Sequence, residues 1–205
     1  LRGWEFGGRR ILLNQHIRNL PACVAAAHSR LFDSSDVVLD IAGGSGTFAV
    51  PFVQCHPDAR VVLTDLPQAI RGSRRFLRAY GMLDRIELAG MDAFRVPWDL
   101  PRCDTVFFGN FIHGFPDNRC AILLREAYRV LQPGGRVILH ELVWNEDRNG
   151  PLKTALFNVT MRRFGGQQRS VRELSSLLSH AGFGALFTQP TSGGFVMVGG
   201  IKPAA

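Results

Sequence analysis

Short apolar runs alternate along this chain with longer stretches of helical periodicity, and turn residues separate them. Val37-Val-Leu-Asp-Ile41 is a run of strand type. It leads through the glycine-dense Ala42–Gly46 into Thr47–Val53, which can begin a helix. Arg60–Asp65 reads as a second strand, Pro67–Tyr80 as a helix closed by Gly81, and Arg85–Ala89 as a short third strand. Cys103–Asn110 is the fourth, with the near-continuous apolar character of a strand buried on both faces. Asp117 can cap a helix running to Leu131, stopped by Pro133-Gly134-Gly135, and Arg136–Glu141 follows as the fifth strand. Pro151–Phe164 is a further helix. Ser170–Ala181 is another, opened by a capping box of Ser170 with Glu173 and ended by Gly182. Ala185–Gln189 and Gly194–Ile201 are closing strands, joined as a hairpin by Pro190–Gly193. Ahead of all these, residues 9–32 read as a helix that Pro21 kinks or divides. Seven strands interleaved with helices predict an α/β fold.

The 205 residues are a single-domain length, with 46% hydrophobic and 20% charged residues, as in ordinary soluble globular chains. No apolar run reaches the ~18 residues that cross a bilayer, so no membrane partner is expected. Ile11-Leu-Leu13 is too brief for a signal peptide. Cys23, Cys55, Cys103 and Cys120 make no C-x-x-C pair and lack ligand-spaced histidines. Zinc, any other metal and a disulfide framework are therefore not expected, and a reducing, cytoplasmic compartment is. The net charge of +7 raises the question of nucleic acid. Arg71, Arg74, Arg75 and Arg78 recur at helical spacing, which reads more simply as a solvated helix face; no nucleic-acid partner is expected.

Candidate chemistry begins at the glycine turn. Gly43-Gly-Ser-Gly46 permits positive φ and close approach of a ligand to the backbone, but it is not the Gly-x-Gly-x-x-Gly of a pyrophosphate cradle. Asp65 ends the second strand about 20 residues on, where an acid can accept from both ribose hydroxyls. Alternatively, the turn holds no ligand and Asp65 caps the next helix.

Asp40-Ile-Ala-Gly-Gly-Ser-Gly46, Thr64-Asp-Leu-Pro67 and Ala89-Gly-Met-Asp-Ala-Phe94 together resemble the class I S-adenosylmethionine-dependent O-methyltransferases. The nearer likeness is to the branch of caffeate and acetylserotonin O-methyltransferases and bacterial natural-product enzymes. Asn110-Phe-Ile-His-Gly-Phe-Pro-Asp117, Leu131–Glu141 and Glu146–Pro151 extend it over roughly residues 37 to 202. The resemblance implies a Rossmann-like, doubly wound, seven-stranded and mostly parallel sheet with an antiparallel last strand. It implies S-adenosyl-L-methionine as cofactor and S-adenosyl-L-homocysteine as product. Asp40, Gly43, Gly44, Ser45, Gly46, Asp65, Leu66, Met91, Asp92, Ala93, Phe94, Gly109 and Asn110 would hold the cofactor, with Asp92 at the adenine amine. Residues 1–32 would be a helical lead-in from an N-terminal helical domain outside this chain, through which the full-length protein forms a homodimer. Residues 33–205 would be the cofactor-binding domain, and Asn158 and Met161 would contact a small hydroxyl acceptor.

His113 stands where that family places its catalytic base. An imidazole suits the removal of a hydroxyl proton at neutral pH. Glu141 matches one supporting carboxylate of the family. Gln168 occupies the place of the other, and Gly114 replaces the usual Asp beside the histidine. A neutral Gln168 could accept the imidazole N–H but would stabilise imidazolium less, which implies a weaker base and a more acidic acceptor. The same departures leave room for a family member that binds the cofactor without transferring its methyl group. An RNA methyltransferase using the arginine face is the other reading.

Overall fold

The computed structural model describes residues 18–163 and 165–204. The part of the 9–32 helix before residue 18, and Phe164 at the end of the 151–164 helix, lie outside the described residues. Seven strands form one sheet in the order β3-β2-β1-β4-β5-β7-β6. They are β1 Val37–Ile41, β2 Arg60–Asp65, β3 Ile86–Gly90, β4 Cys103–Gly109, β5 Leu131–Leu142, β6 Gly184–Pro190 and β7 Phe195–Ile201. The pairings β1/β2, β2/β3 and β4/β5 are parallel, whereas β7 runs antiparallel to both β5 and β6. This is the α/β architecture the sequence predicts, with the last strand reversed. The chain divides into two compact units, Leu1–Arg95 and Val96–Ala205.

In the first unit the helices are α1 over residues 18–27, α2 Ala49–Cys55 and α3 Pro67–Ala79. Pro21 lies inside α1 and does not divide its described part; the chain leaves that helix at residue 28 and makes a 3₁₀ turn at Arg30–Phe32. Val38, Leu39, Ile41, Val61, Val62 and Leu63 are fully buried, because helices rather than water meet both faces of a parallel sheet. Phe32, Phe48 and Phe52 pack ring against ring beside it, with Phe32 and Phe52 edge to face at 5.2 Å. α3 buries Ala69, Ser73 and Leu77, one residue per turn, and leaves Arg71, Arg74, Arg75 and Arg78 exposed. Gly81 follows it at φ +67°, a left-handed position that favours glycine.

The second unit carries α4 Asp117–Val130, α5 Leu152–Arg162 and α6 Val171–His180. Asp117 does not cap α4. Pro116 is the N-cap, and the Asp117 carboxylate, one residue too late to bond the first turn, accepts instead from Arg169. Pro133-Gly134-Gly135 does not lie between helix and strand either. The strand starts at Leu131 and bulges there, so that pairing passes from Cys103 with Leu131 to Thr105 with Arg136. The extra residues are held by Lys202, whose N–H donates to Gly135 O at 2.7 Å and whose carbonyl accepts from Gly134 N–H at 2.9 Å. α6 has the capping box in full: Ser170 Oγ accepts from Glu173 N–H and the Glu173 carboxylate accepts from Ser170 N–H.

His140 is buried in β5 between Phe107 and Phe195, with Nε2 2.8 Å from Thr191 Oγ1. Burial, partly opposed by the charge of Glu141, pushes its pKa down to about 4. The folded ring therefore stays neutral at pH values where the unfolded ring takes a proton. Its contribution to stability is complete above about pH 6.5 and falls as pH drops toward 4. Asp40, raised to about 7 by burial and then by the charge of Asp65, acts with the opposite sign in the same window. The His140 effect is thus isolated by subtraction. The stability difference between the wild type and His140→Leu, measured by urea unfolding, is expected to shrink by about 2 kcal/mol from pH 7 to pH 5. A difference independent of pH would show that the ring ionises freely in the fold.

Candidate active site

The predicted site residues fall into two groups, one in each unit. In the first unit they converge on the tips of β1, β2 and β3. The turn after β1 places Ala42, Gly44 and Gly46 at φ +57°, +58° and +79°. Gly43 has no room for a side chain: a Cβ would stand 2.5 Å from Asp40 Oδ2 and 2.7 Å from Leu63 Cγ. Asp65 ties the turn to the neighbouring strands. Its Oδ2 accepts from Gly44 N–H at 3.0 Å, its Oδ1 from Leu66 N–H at 2.7 Å, and its carbonyl from Met91 N–H at 2.8 Å. Asp65 is not the N-cap of α3; Leu66 is, with Pro67 as the first helical residue. Ser73 Oγ donates to Gly44 O, and Ser45 and Thr47 share a hydroxyl contact at 2.9 Å. Asp92 is exposed and its Oδ1 accepts from Phe94 N–H at 2.9 Å, which shapes the loop after β3. Ala93 is buried and Phe94 half-buried.

Asp40 is the electrostatic outlier of this group. It is 1% exposed, and Oδ2 has no hydrogen-bond partner among the described residues. Leaving a buried carboxylate oxygen unpartnered costs roughly 1–3 kcal/mol or more. Asp65 lies close enough for its charge to act on it, and burial raises the Asp65 carboxyl too, against the lowering effect of the Leu66 and Gly44 amides. Two acids crowded at a glycine turn are suited to a ligand that brings positive charge and hydroxyl donors.

In the second unit His113 sits on a 3₁₀ turn, Ile112–Gly114, just beyond β4. Its Nδ1 lies 2.7 Å from Glu141 Oε2, and both side chains are nearly inaccessible, at 9% and 3%. The second Glu141 oxygen accepts from Phe111 N–H at 2.8 Å and from His113 N–H at 3.4 Å. Glu141 thus holds both the ring and the turn that carries it. As a carboxylate it only accepts, so the contact calls for a proton on Nδ1, and in the neutral tautomer of the ring that leaves Nε2 as the acceptor. Phe157 of α5 meets the imidazole edge to face at 4.9 Å. Asn110, at φ +55°, donates its N–H to His140 O at 2.8 Å and leaves a buried Oδ1 without a partner among the described residues. Gly109 lies ahead of it at the end of β4, where a Cβ would press on the Phe107 ring at 2.8 Å.

Gln168 departs from expectation. It makes no hydrogen bond to His113; the carboxylate of Glu141 already takes the Nδ1 proton. Its amide is buried, with neither Nε2 nor Oε1 partnered among the described residues. Its backbone N–H donates to Asn158 Oδ1 at 2.8 Å, so Asn158 is committed to holding this segment. Met161 is half-buried on α5 and its carbonyl accepts from Gly166 N–H at 3.1 Å. Phe157 and Arg169 were not singled out as site residues in the sequence. Phe157 was hidden in an apolar helical stripe that reads as core, and an arginine in a polar loop carries no local signal.

A sequence model of the O-methyltransferase domain matches residues 13–184. Acetylserotonin O-methyltransferase of Macaca mulatta is 30% identical over 88% of this chain and 47% of its own length. Among solved structures, an O-methyltransferase family 2 protein from Planctomyces limnophilus in complex with apigenin superposes with a TM-score of 0.85 at 26% identity, over 97% of this chain and 61% of that one. The S-adenosylmethionine-dependent methyltransferase SibL in its apo form gives a TM-score of 0.81 at 26% identity, over 92% and 57%. The chain spans about half the length of the curated relatives it matches.

Proposed function

This chain belongs to the O-methyltransferase domain family, and from that premise we propose that it moves a methyl group from S-adenosylmethionine to a hydroxyl of a small aromatic or polyketide-like compound, with His113 as the general base. The observation that carries this reading is the buried 2.7 Å contact between His113 Nδ1 and Glu141 Oε2. That contact leaves Nε2 as the acceptor for a hydroxyl proton. Glu141 keeps the ring in this tautomer and stabilises the imidazolium formed when the proton arrives. Phe157 limits the tilt of the ring. A relative in complex with apigenin, a hydroxylated aromatic, supports the acceptor class.

The residues present fit the cofactor. In the first unit, Asp40 with its unpartnered oxygen, the Gly43–Gly46 turn, Asp65 with Leu66 and the Met91–Phe94 loop would hold it. When bound, the cofactor supplies an electrophilic methyl carbon on a cationic sulfur. Asp65 spends one lone pair of each oxygen on backbone N–H groups and retains the others for hydroxyl donors. What remains for the protein is alignment of the acceptor and removal of its proton, and alignment alone can supply several kcal/mol of the barrier.

The test is incubation of the full-length protein with methyl-labelled cofactor and a panel of hydroxylated aromatics. Label is expected in the acceptor, with one S-adenosylhomocysteine released per transfer. Cofactor binding with no label transferred to any acceptor would favour a non-methylating member of the family. No binding of either cofactor or demethylated product would sink the proposal.

A further inference from the structure

Arg169 is buried, 3% exposed, yet it lies outside every role assigned so far. All five of its N–H donors are engaged. Nε and Nη2 reach Asp117 Oδ1 at 3.0 and 2.6 Å, Nη2 reaches Phe115 O at 2.8 Å, and Nη1 reaches Ile112 O at 3.3 Å and Gln167 O at 3.4 Å. Ile112 and Phe115 bracket His113 and Gly114. The guanidinium therefore holds the carbonyls on both sides of the turn that bears the imidazole. The same segment adds a third hold, since Gln167 N–H donates to His113 O at 2.8 Å. Gly166 makes this possible, because any Cβ there would collide with that carbonyl oxygen.

We propose that Arg169 is a positioning residue for His113, clamping the carbonyls on either side of it so that the imidazole stays aligned on Glu141. The need for a clamp follows from the turn itself. A three-residue 3₁₀ segment makes little internal hydrogen bonding, and here it ends in Gly114, which adds backbone freedom and has no side chain to pack. A Cβ at Gly114 would meet nothing within 4 Å. Glu141 restrains the turn through the N–H groups of Phe111 and His113, whereas Arg169 and Gln167 bond the carbonyls of Ile112, His113 and Phe115. The Cys120 thiol, pushed up to about 11 by burial and so protonated, adds weak contacts to Ile112 O at 3.5 Å and Phe115 O at 3.6 Å. A lysine cannot replace the planar fork, because one ammonium cannot serve two carbonyls and a carboxylate with this geometry.

The proposal rests on His113 being the base, and the experiment separates the two. Arg169→Lys in the full-length protein is expected to lower kcat by about tenfold or more, with cofactor affinity within about twofold of wild type. The His113 Nδ1–H proton resonance, expected far downfield in the wild type from the 2.7 Å contact, should broaden or move. A folded Arg169→Lys protein with wild-type kcat, or with reduced kcat and an unmoved resonance, overturns the clamp. Should Arg169→Lys fail to fold, Asp117→Asn carries the test. That carboxylate is 64% exposed, and the asparagine keeps an oxygen able to accept from the guanidinium, so the buried Arg169 loses its counter-charge but not its hydrogen-bond acceptor. It is expected to shift the resonance and lower kcat by about threefold, and no change in either would overturn the proposal. A fully active His113→Ala protein would sink the base reading while a displaced resonance in Arg169→Lys still supported the clamp.

Discussion

His113→Ala is expected to lower kcat by a factor of about 10²–10⁴ while cofactor affinity stays near the wild-type value. The range is what a positioned general base contributes when the acceptor hydroxyl must lose its proton. Its upper end applies to acceptors of high pKa and its lower end to acidic phenols, which are partly ionised at neutral pH without help. The variant also strands Glu141 Oε2, which is buried and would lose its only described partner. A stability loss of about 1–3 kcal/mol is expected from that alone. The fold should survive it, because Phe111 and His113 N–H still donate to Oε1. Single-turnover kinetics with saturating cofactor, alongside calorimetric titration of the cofactor, checks both halves. Wild-type turnover in a folded His113→Ala protein would remove the imidazole from the mechanism.

Much of this arrangement was legible in the sequence, for physical reasons that differ from element to element. Strands buried on both faces leave continuous apolar runs, so β1, β2 and β4 were readable as such, with boundaries close to those observed. The Ser170 capping box is local chemistry and was read in full. Placing Asp65 beside the glycine turn required only the β1–α2–β2 unit that joins them. What escaped was set by partners far along the chain. Asp117 looked like a helix cap because Ser, Thr, Asp and Asn usually are caps there, but a guanidinium 52 residues away takes its oxygen. Pro133-Gly134-Gly135 looked like a helix stop, and only the return of Lys202 beside it reveals a bulge inside a strand. Gln168 was assigned to the imidazole by its place in a motif. Its amide meets no described partner, because one carboxylate on β5 already satisfies the ring nitrogen. Nothing in a one-dimensional pattern distinguishes a side chain near an imidazole from one bonded to it.

Glu141→Gln tests that carboxylate without changing its shape. The amide oxygen is expected to stay where two backbone donors, Phe111 N–H at 2.8 Å and His113 N–H at 3.4 Å, now point at Oε1. The amide nitrogen then faces Nδ1 in place of Oε2. An amide flipped to offer its oxygen to the ring would turn N–H against N–H at Phe111, so two contacts oppose the flip and one favours it. With a donor facing it, Nδ1 must become the acceptor and the ring proton moves to Nε2. An imidazole protonated at Nε2 cannot take a proton from the acceptor hydroxyl. The expected loss in kcat is about 10²–10⁴, comparable to removing the ring altogether, although the imidazole is still present and the turn still held. Affinity for the cofactor should change little, since none of the residues proposed to hold it bonds to the ring. The Nδ1–H resonance should disappear and the melting temperature should fall only slightly. Glu141→Gln activity within about threefold of wild type would mean that the carboxylate merely anchors the turn and that the ring finds its working tautomer without it.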